Sequence, residues 1–373
     1  MPAPALRKKN KLDVVRIVLK HGQLPRSELA RKTGLSLSTL SYIVRELQDA
    51  GLLLIEEVQQ RRGRPSQIVK INPSAWRVIG IKVGREEVRG TLFDAGMKPL
   101  KKHKVSILSD LRNNEGYLRA ILETLESLSC ENLLSIGVCS SGIVEDEKIV
   151  VSHLMNVKDL DLKSLLKKNF KIENFLLMND VDALCYGLSK SSGDNFLVVS
   201  YGTGIGASFW RRDYANHIEM GHLIVSNQGK CYCGQTGCLE YSASEYAVLK
   251  NFLGREIDFE DFVWNEEEKY RALIDQLRKL AANDFDVVKD FYQNPLRTLA
   301  TIVGDLVMTL KPSKVIFLGE GIVNAQMIEV IKGNIFEIFN KDFLRKVDFK
   351  TDLADWEIGV ASAAIDKFME QLV

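Results

Sequence analysis

Residues 231–240 read CYCGQTGCLE. Three cysteines fall within eight residues, and Gly234 and Gly237 let the backbone turn tightly between them. The chain gives no other sign of an oxidising destination. Its opening MPAPALRKKNKLDVV has no apolar stretch of the signal-peptide kind, and no apolar run reaches the length of a membrane span. The expected setting is the cytoplasm, away from any membrane, where clustered cysteines more often hold metal than pair as disulfides. A structural zinc ion takes four nitrogen or sulfur ligands. Cys231, Cys233 and Cys238 offer three, and His222, nine residues upstream, offers a fourth. The competing readings are a redox-active thiol pair and free buried thiols. Cys130, Cys139 and Cys185 lie in apolar strand-like or helix-like stretches and read as ordinary buried thiols.

Around this loop stands a chain of 373 residues, more than one core usually supports, so two or three domains are expected. Its hydrophobic fraction of 46% and charged fraction of 27% are those of a soluble globular protein. The net charge of +1 hides an asymmetry. Residues 1–72 hold 14 Lys+Arg against 6 Asp+Glu, and the remainder holds 36 against 43. A basic head on an acidic body suggests an attached nucleic-acid-binding module, against the plainer reading of a solvated basic tail.

The head reads as three helices. The first spans about residues 11–20, with Leu12, Val15 and Leu19 on one face. SELARKTG gives a second, with Ser27 as the expected N-cap and Gly34 as its stop. SLSTLSYIVRELQDAG gives a third, capped by Ser36, ended by Gly51, and buried along Leu40, Ile43, Val44 and Leu47. Its other face carries Ser38, Thr39, Ser41, Tyr42 and Arg45, types that bond phosphates and base edges in a major groove. Two short helices split by a glycine turn make a helix-turn-helix. Two β-prone stretches, 52–58 and 67–71, then flank the tip RRGRPS, as in a wing. Gly63 and Pro65 keep that tip thin, so Arg62 and Arg64 can enter a narrow minor groove. The expected partner is double-stranded DNA; a protein-interaction module with a basic loop is the bland alternative.

From Trp76 the pattern changes. WRVIGIKVG, EVRGTLFDA and KHKVSIL read as three strands, followed by a helix near 115–128 and a buried strand in LLSIGVCSSGIV. FLLMNDVDALCYGL is a strand breaking into a helix, where Asp180 can serve as N-cap. FLVVSYGTGIGASFW gives two strands around a glycine turn. A mostly helical stretch, about 244–310, leads to the strand KVIFLGEGIV, and a last helix covers about 357–372. Interleaved strands and helices with glycines at strand ends indicate an α/β body whose ligand site lies at the carboxyl ends of the strands.

GTGIG, the pair ND opening a helix, and EMGH followed by CYCGQTGCLE together resemble the ROK family of bacterial sugar kinases and sugar-responsive repressors. The likeness covers nearly the whole chain. GTGIG alone is weak; ExGH followed by CxCGxxGCxE is specific, because several polar and glycine positions agree at fixed spacing. The resemblance implies a winged helix-turn-helix (1–72) before a two-lobed body of the actin/hexokinase-like, ribonuclease H-like fold. Its lobes would be 73–180 with the C-terminal helix 355–373, and 181–354 with the zinc loop and a helical region. It implies the same zinc ligands. It also implies sugar hydroxyls bonded at Asn179, Asp180, Glu219, His222 and Glu240, with backbone approach at Gly142. Carboxylates accept from vicinal hydroxyls, and an imidazole nitrogen not on zinc can bond one more. With four protein ligands the zinc has no open position, so its expected task is to hold Glu219 and Glu240 toward the cleft.

A kinase also needs a base and loops for Mg-ATP. Asp180 matches the family's base, and Gly202, Thr203, Gly204 and Gly206 match its second phosphate loop. The first phosphate loop departs. Where the family's kinases have Asp-x-Gly-Gly-Thr, this chain has IKVGREEV: Lys82 replaces the acid, Arg85 the second glycine, and Glu86 the threonine. Glu320 stands at a glycine position of the adenosine-side turn. These changes remove nucleotide groups and leave sugar groups. The expectation is a DNA-binding repressor of sugar-utilisation genes, a dimer or tetramer, controlled by a sugar in a degenerate kinase cleft, with a hinge near residues 72–76. An active glucose or N-acetylglucosamine kinase carrying a DNA-binding head is the alternative.

Overall fold

The computed structural model describes residues 3–58, 66–170 and 173–373. Arg62 and Arg64, the expected minor-groove contacts, lie outside the described residues.

In the head, the first helix runs Ala3–His21, well beyond the expected 11–20, and buries Leu12, Val14, Val15 and Val18. A short strand, Gln23–Pro25, precedes the helix Arg26–Thr33. Ser27 is not its cap. Pro25 stands at the N-cap with φ −58° and gives no side-chain hydrogen bond, so Arg26 already opens the helix. The recognition helix Leu37–Asp49 is capped as expected: Ser36 Oγ accepts from the Thr39 N–H at 3.1 Å. It buries Leu40, Ile43, Val44 and Leu47. The wing strands Leu53–Val58 and Ser66–Ile71 pair antiparallel, and Gln23–Pro25 adds to the outer side of Ser66–Ile71.

The expected hinge is not a loose tether. Trp76 is 1% exposed and shares one apolar cluster with Val14, Val15 and Val18 of the head and with Ala364 and Ile365 near the C-terminus. Asn72 Nδ2 donates to the Gly51 carbonyl at 2.7 Å, and the Pro73 carbonyl accepts from the Ala95 N–H at 3.3 Å. A large indole gains most when fully covered, which favours head and body packing as one piece.

The body holds two five-stranded sheets of one topology. In the first, the strands Arg77–Val83, Glu87–Asp94 and Pro99–Ser106 form an antiparallel meander, and Leu133–Ser140 and Phe175–Asn179 add in parallel beside its first strand. In the second, Phe196–Tyr201, Ile205–Arg211 and Tyr214–Ile218 form the meander, and Lys314–Leu318 and Asp348–Thr351 add in parallel. Each sheet sends its last strand into a helix that packs on the other half. Asp180–Ser192 packs on the second sheet, and Trp356–Phe368 on the first. The two helices meet closely: a β-carbon at Gly359 would come within 1.9 Å of the Ala183 carbonyl oxygen. This exchange places both sets of strand ends around one cleft.

The sequence reading missed a small sheet of Ile143–Glu145, Lys148–Ser152 and Val157–Asp161, the strands Tyr214–Ile218 and Asp348–Thr351, and the helix Ala325–Ile338. Cys139 and Cys185 are buried thiols, but Cys130 is only half-buried, because it lies past the end of the helix Asn114–Leu128.

Candidate functional site

The thiol loop folds back on the ExGH turn. Main-chain bonds join Val225 N to the Gly237 carbonyl and Leu239 N to the Leu223 carbonyl, each at 2.8 Å. Ligand atoms of His222, Cys231, Cys233 and Cys238 all come within 4.8 Å of one another. Cys233 and Cys238 Sγ are 3.7 Å apart, and Cys231 Sγ lies 3.9 Å from His222 Nδ1. Thiolates on one tetrahedral ion with bonds of about 2.3 Å would sit about 3.8 Å apart, so the donor set fits a metal. Burial pushes the Cys238 thiol up to about 11 and Cys231 further, so without a cation these groups stay protonated.

The other imidazole nitrogen turns the opposite way. His222 Nε2 lies 3.9 Å from Glu240 Oε2. Glu240 lies in the first turn of the short helix Leu239–Ala243 and is 2% exposed. Tyr232, between the first two cysteines, donates its hydroxyl to Glu240 Oε2 at 2.9 Å and meets His222 edge-on. Burial raises the Glu240 carboxyl to about 8, opposed by the Tyr232 hydroxyl and a main-chain donor at Ile205. Tyr232 was missed because it is a free position of the cysteine spacing. From the first lobe, His153 brings its ring to 6.3 Å from that of Tyr232.

Asn179 caps the helix that Asp180 was expected to cap. Its Oδ1 accepts from the Val181 N–H at 2.8 Å, and its Nδ2 donates to the Gly142 carbonyl at 3.0 Å. Gly142 has φ +92°, and a β-carbon there would strike the Val151 carbonyl, so the protein itself needs this glycine. Asp180, freed from capping, sits in the first turn. Its carboxylate is ion-paired with Lys82, whose ammonium also lies 5.4 Å from the Trp356 ring centroid. Glu219 is held by His217, Nε2 to Oε1 3.1 Å, which keeps its carboxyl below the usual range.

The end of the cleft that the sequence matched to nucleotide is filled by charges from both lobes. Arg85 lies 3.3 Å from Glu267 and donates to the Val263 carbonyl. Arg112 pairs with the other Glu267 oxygen, and Arg271 reaches Glu267 at 3.0 Å while pairing with Glu86. Burial alone would raise Glu267, but Arg112 and Arg85 outweigh it and hold the carboxyl low. Glu267 and Arg271 belong to the helix Glu267–Asn283, entered through a π-helical turn, Asp261–Asn265. Farther along that helix Arg278 grips Glu245 with two bonds, 2.8 and 2.6 Å, and Glu320 at 3.0 Å. Gly202, Thr203 and Gly204 form the turn after Phe196–Tyr201, and Gly206 lies inside the next strand.

On the recognition helix Ser38, Thr39, Tyr42 and Arg45 are exposed, and Ser41 is half-buried. Ser41, Tyr42 and Arg45 line a shallow polar groove together with Arg26, which the sequence did not single out. Some hydroxyls are engaged: Thr39 with Ser36, Ser41 with the Leu37 carbonyl, and Tyr42 with Arg7. No helix among the described residues is long and apolar enough to cross a membrane.

A family model described as the ROK family matches residues 78–364, and one described as winged helix-turn-helix DNA-binding matches residues 7–53. The xylose repressor of Bacillus subtilis (strain 168) is 29% identical over 280 residues, 69% of this chain and 72% of that protein. A ROK family transcriptional regulator, a homologue of the E. coli MLC protein, superposes with a TM-score of 0.75 at 21% identity, over 98% of this chain and 97% of that one. A ROK family glucokinase from Streptomyces griseus, with glucose and AMPPNP, gives 0.58 at 20% identity, over 77% and 98%. The structural likenesses speak for the two-lobed fold, in one case with the head included. Since the family model spans more than half of the sequence, this chain belongs to the ROK family.

Proposed function

We propose that this protein is a transcriptional repressor of sugar-utilisation genes, which binds operator DNA through its winged helix-turn-helix and answers to a sugar held in the interlobe cleft. The observation that carries this reading is the Lys82–Asp180 ion pair. The group that would act as base on a sugar hydroxyl is instead covered by a cation, where a kinase needs a free carboxylate and a metal-bound nucleotide. Similarity to the Bacillus xylose repressor supports the regulatory role.

The sugar would lie between Asn179 and Asp180 on one side and Glu219, His222 and Glu240 on the other. Zinc held by His222, Cys231, Cys233 and Cys238 would supply fixed architecture and no chemistry. It would set the imidazole tautomer and leave Nε2 for a hydroxyl. Occupancy has a route to the head. The helix Asp180–Ser192 begins in the cleft, and farther along it Tyr186 donates to Asp366 of the C-terminal helix. Burial raises Asp366, and Arg16 of the head's first helix is among the charges opposing that rise. Two copies would present two heads to a roughly palindromic operator. For release, the sugar must bind the DNA-incompetent arrangement better.

The test is operator binding with a panel of pentoses, hexoses and N-acetylhexosamines, beside a mass-read phosphotransfer assay with Mg-ATP. At least one sugar should change operator affinity, and none should be phosphorylated. Sugar phosphate that vanishes in Asp180→Asn would make the protein a kinase with a DNA-binding head.

A further inference from the structure

The strand Tyr214–Ile218 carries a histidine that neither the metal nor the sugar-facing set accounts for. His217 stands opposite Ser208 on the neighbouring strand. Its ring bridges two elements. Nε2 lies 3.1 Å from Glu219 Oε1, and Nδ1 lies 3.8 Å from Asp182 Oδ1. Asp182 is in the first turn of the helix that opens with Asp180. His217 Nδ1 and Asp182 Oδ1 are both shut off from solvent, and neither has a hydrogen-bond partner. The two buried atoms lie 3.8 Å apart, and the contact between them is attractive when Nδ1 carries a proton and repulsive when it does not.

The charges acting on the ring are Glu219, Asp182 and Asp180, all carboxylates. Burial alone would lower the imidazole, yet these three raise it above its usual value. A protonated ring donates from both nitrogens, which is what two flanking carboxylates require. A neutral ring can serve only one of them as donor.

We infer that His217 is a positioning residue for ligand recognition: as an imidazolium it fixes the Glu219 carboxylate toward the cleft and ties it to the helix Asp180–Ser192. This rests on the reading that a sugar binds at Glu219. The linkage has a definite sign. The charged ring is present below its raised folded value and is lost as pH climbs through it. Glu219 is therefore well held below that raised value and less well held above it, so sugar affinity falls as pH climbs through it.

The experiment measures sugar affinity by calorimetry between about pH 6 and 8.5, for the zinc-loaded full chain and for His217→Gln, which keeps a donor but cannot titrate. Wild type should weaken by roughly five- to tenfold across the range, the difference between a charge-assisted and a neutral hydrogen bond. His217→Gln should start several-fold weaker and stay flatter, with sugar-free operator binding unchanged. In parallel, NMR should show one of the five histidine rings titrating above the ordinary value, absent in His217→Gln and lowered in Asp182→Asn. If Glu219→Gln abolishes sugar binding while His217→Gln keeps the wild-type slope, this inference is wrong and the sugar site stands. A wild-type protein that binds no sugar overturns both.

Discussion

Residues 84–86 and residues 202–204 hold the same place in two sheets of the same strand order, each turning the first strand of a meander into the second. They have become different objects. The second turn keeps glycines at 202 and 204. The first carries Arg85 and Glu86, and both reach across the cleft to the helix Glu267–Asn283. The end of the cleft proposed to hold sugar and the end matched to nucleotide differ likewise. One gathers carboxylates, an imidazole and a metal-ready thiol set, with acceptors left for a ligand. The other has spent its charges on itself. The lesson is that the two-lobed fold depends on the meanders and the exchanged helices, and not on the chemistry of the turns. A turn that matches a family phosphate loop by position carries here an interlobe bolt of ion pairs, and neither sheet is disturbed.

The comparison breaks most severely at the thiol loop. Cys238→Ser, or chelation of a loaded protein, should release zinc, lower thermal stability sharply and abolish any sugar response, because His222, Cys231, Cys233 and Cys238 are placed to hold one ion and would lose the link that joins them. Metal analysis and a melting curve check this; full stability with no bound metal would show the loop to be a thiol cluster only. Next comes the bolt. Glu267→Ala leaves Arg85 and Arg112 buried beside each other with no shared acid, which should cost about 3–5 kcal/mol in urea unfolding. A loss below about 1 kcal/mol would mean the pairs are solvated and hold nothing. At the sugar end, Glu240→Ala should lower sugar affinity by roughly tenfold to a hundredfold, the size expected for hydrogen bonds to a charged or buried carboxyl. Operator affinity without sugar should hold. Unchanged sugar affinity would remove Glu240 from the site.

These contrasts were unequally legible. The thiol loop could be read because its ligands lie within a few residues of one another, and tetrahedral coordination demands that spacing. The recognition helix could be read from its cap and its apolar stripe. The departure of the first turn from the family's phosphate loop could be read from Lys82, Arg85 and Glu86. What those residues do instead could not: Glu267 lies 155 residues from Arg112, and only the folded cleft brings them together. Tyr232 and His217 were hidden although Glu240 and Glu219 lie close in sequence, because Tyr232 is a free position of the cysteine spacing and the second carboxylate of His217, Asp182, is brought up only by the fold. The duplication of the body was hidden by sequence, because IKVGREEV and SYGTGIGA share little beyond one glycine, while strand order is a property of backbone pairing. The packing of the expected hinge was hidden as well, because Trp76 is covered by residues far from it in sequence.

The smallest effect is expected at the residue that motivated the functional reading. Lys82→Met uncovers Asp180 with little change in volume. Asp180 keeps partial access to water, so its loss of a partner should cost only about 1 kcal/mol. Stability and sugar affinity should both move little. Phosphotransfer should stay absent, even though the carboxylate that matches a kinase base is now free. The reason lies at the other end of the cleft: Arg85, Glu86 and Arg112 still cross to the helix Glu267–Asn283, and Glu320 still engages Arg278. Sugar phosphate produced by this single variant would mean that nucleotide enters despite the bolt, and that Lys82 alone had separated the two activities. Its continued absence, with sugar still bound, would place the loss of catalysis in the whole nucleotide end, where several independent substitutions would have to be reversed together.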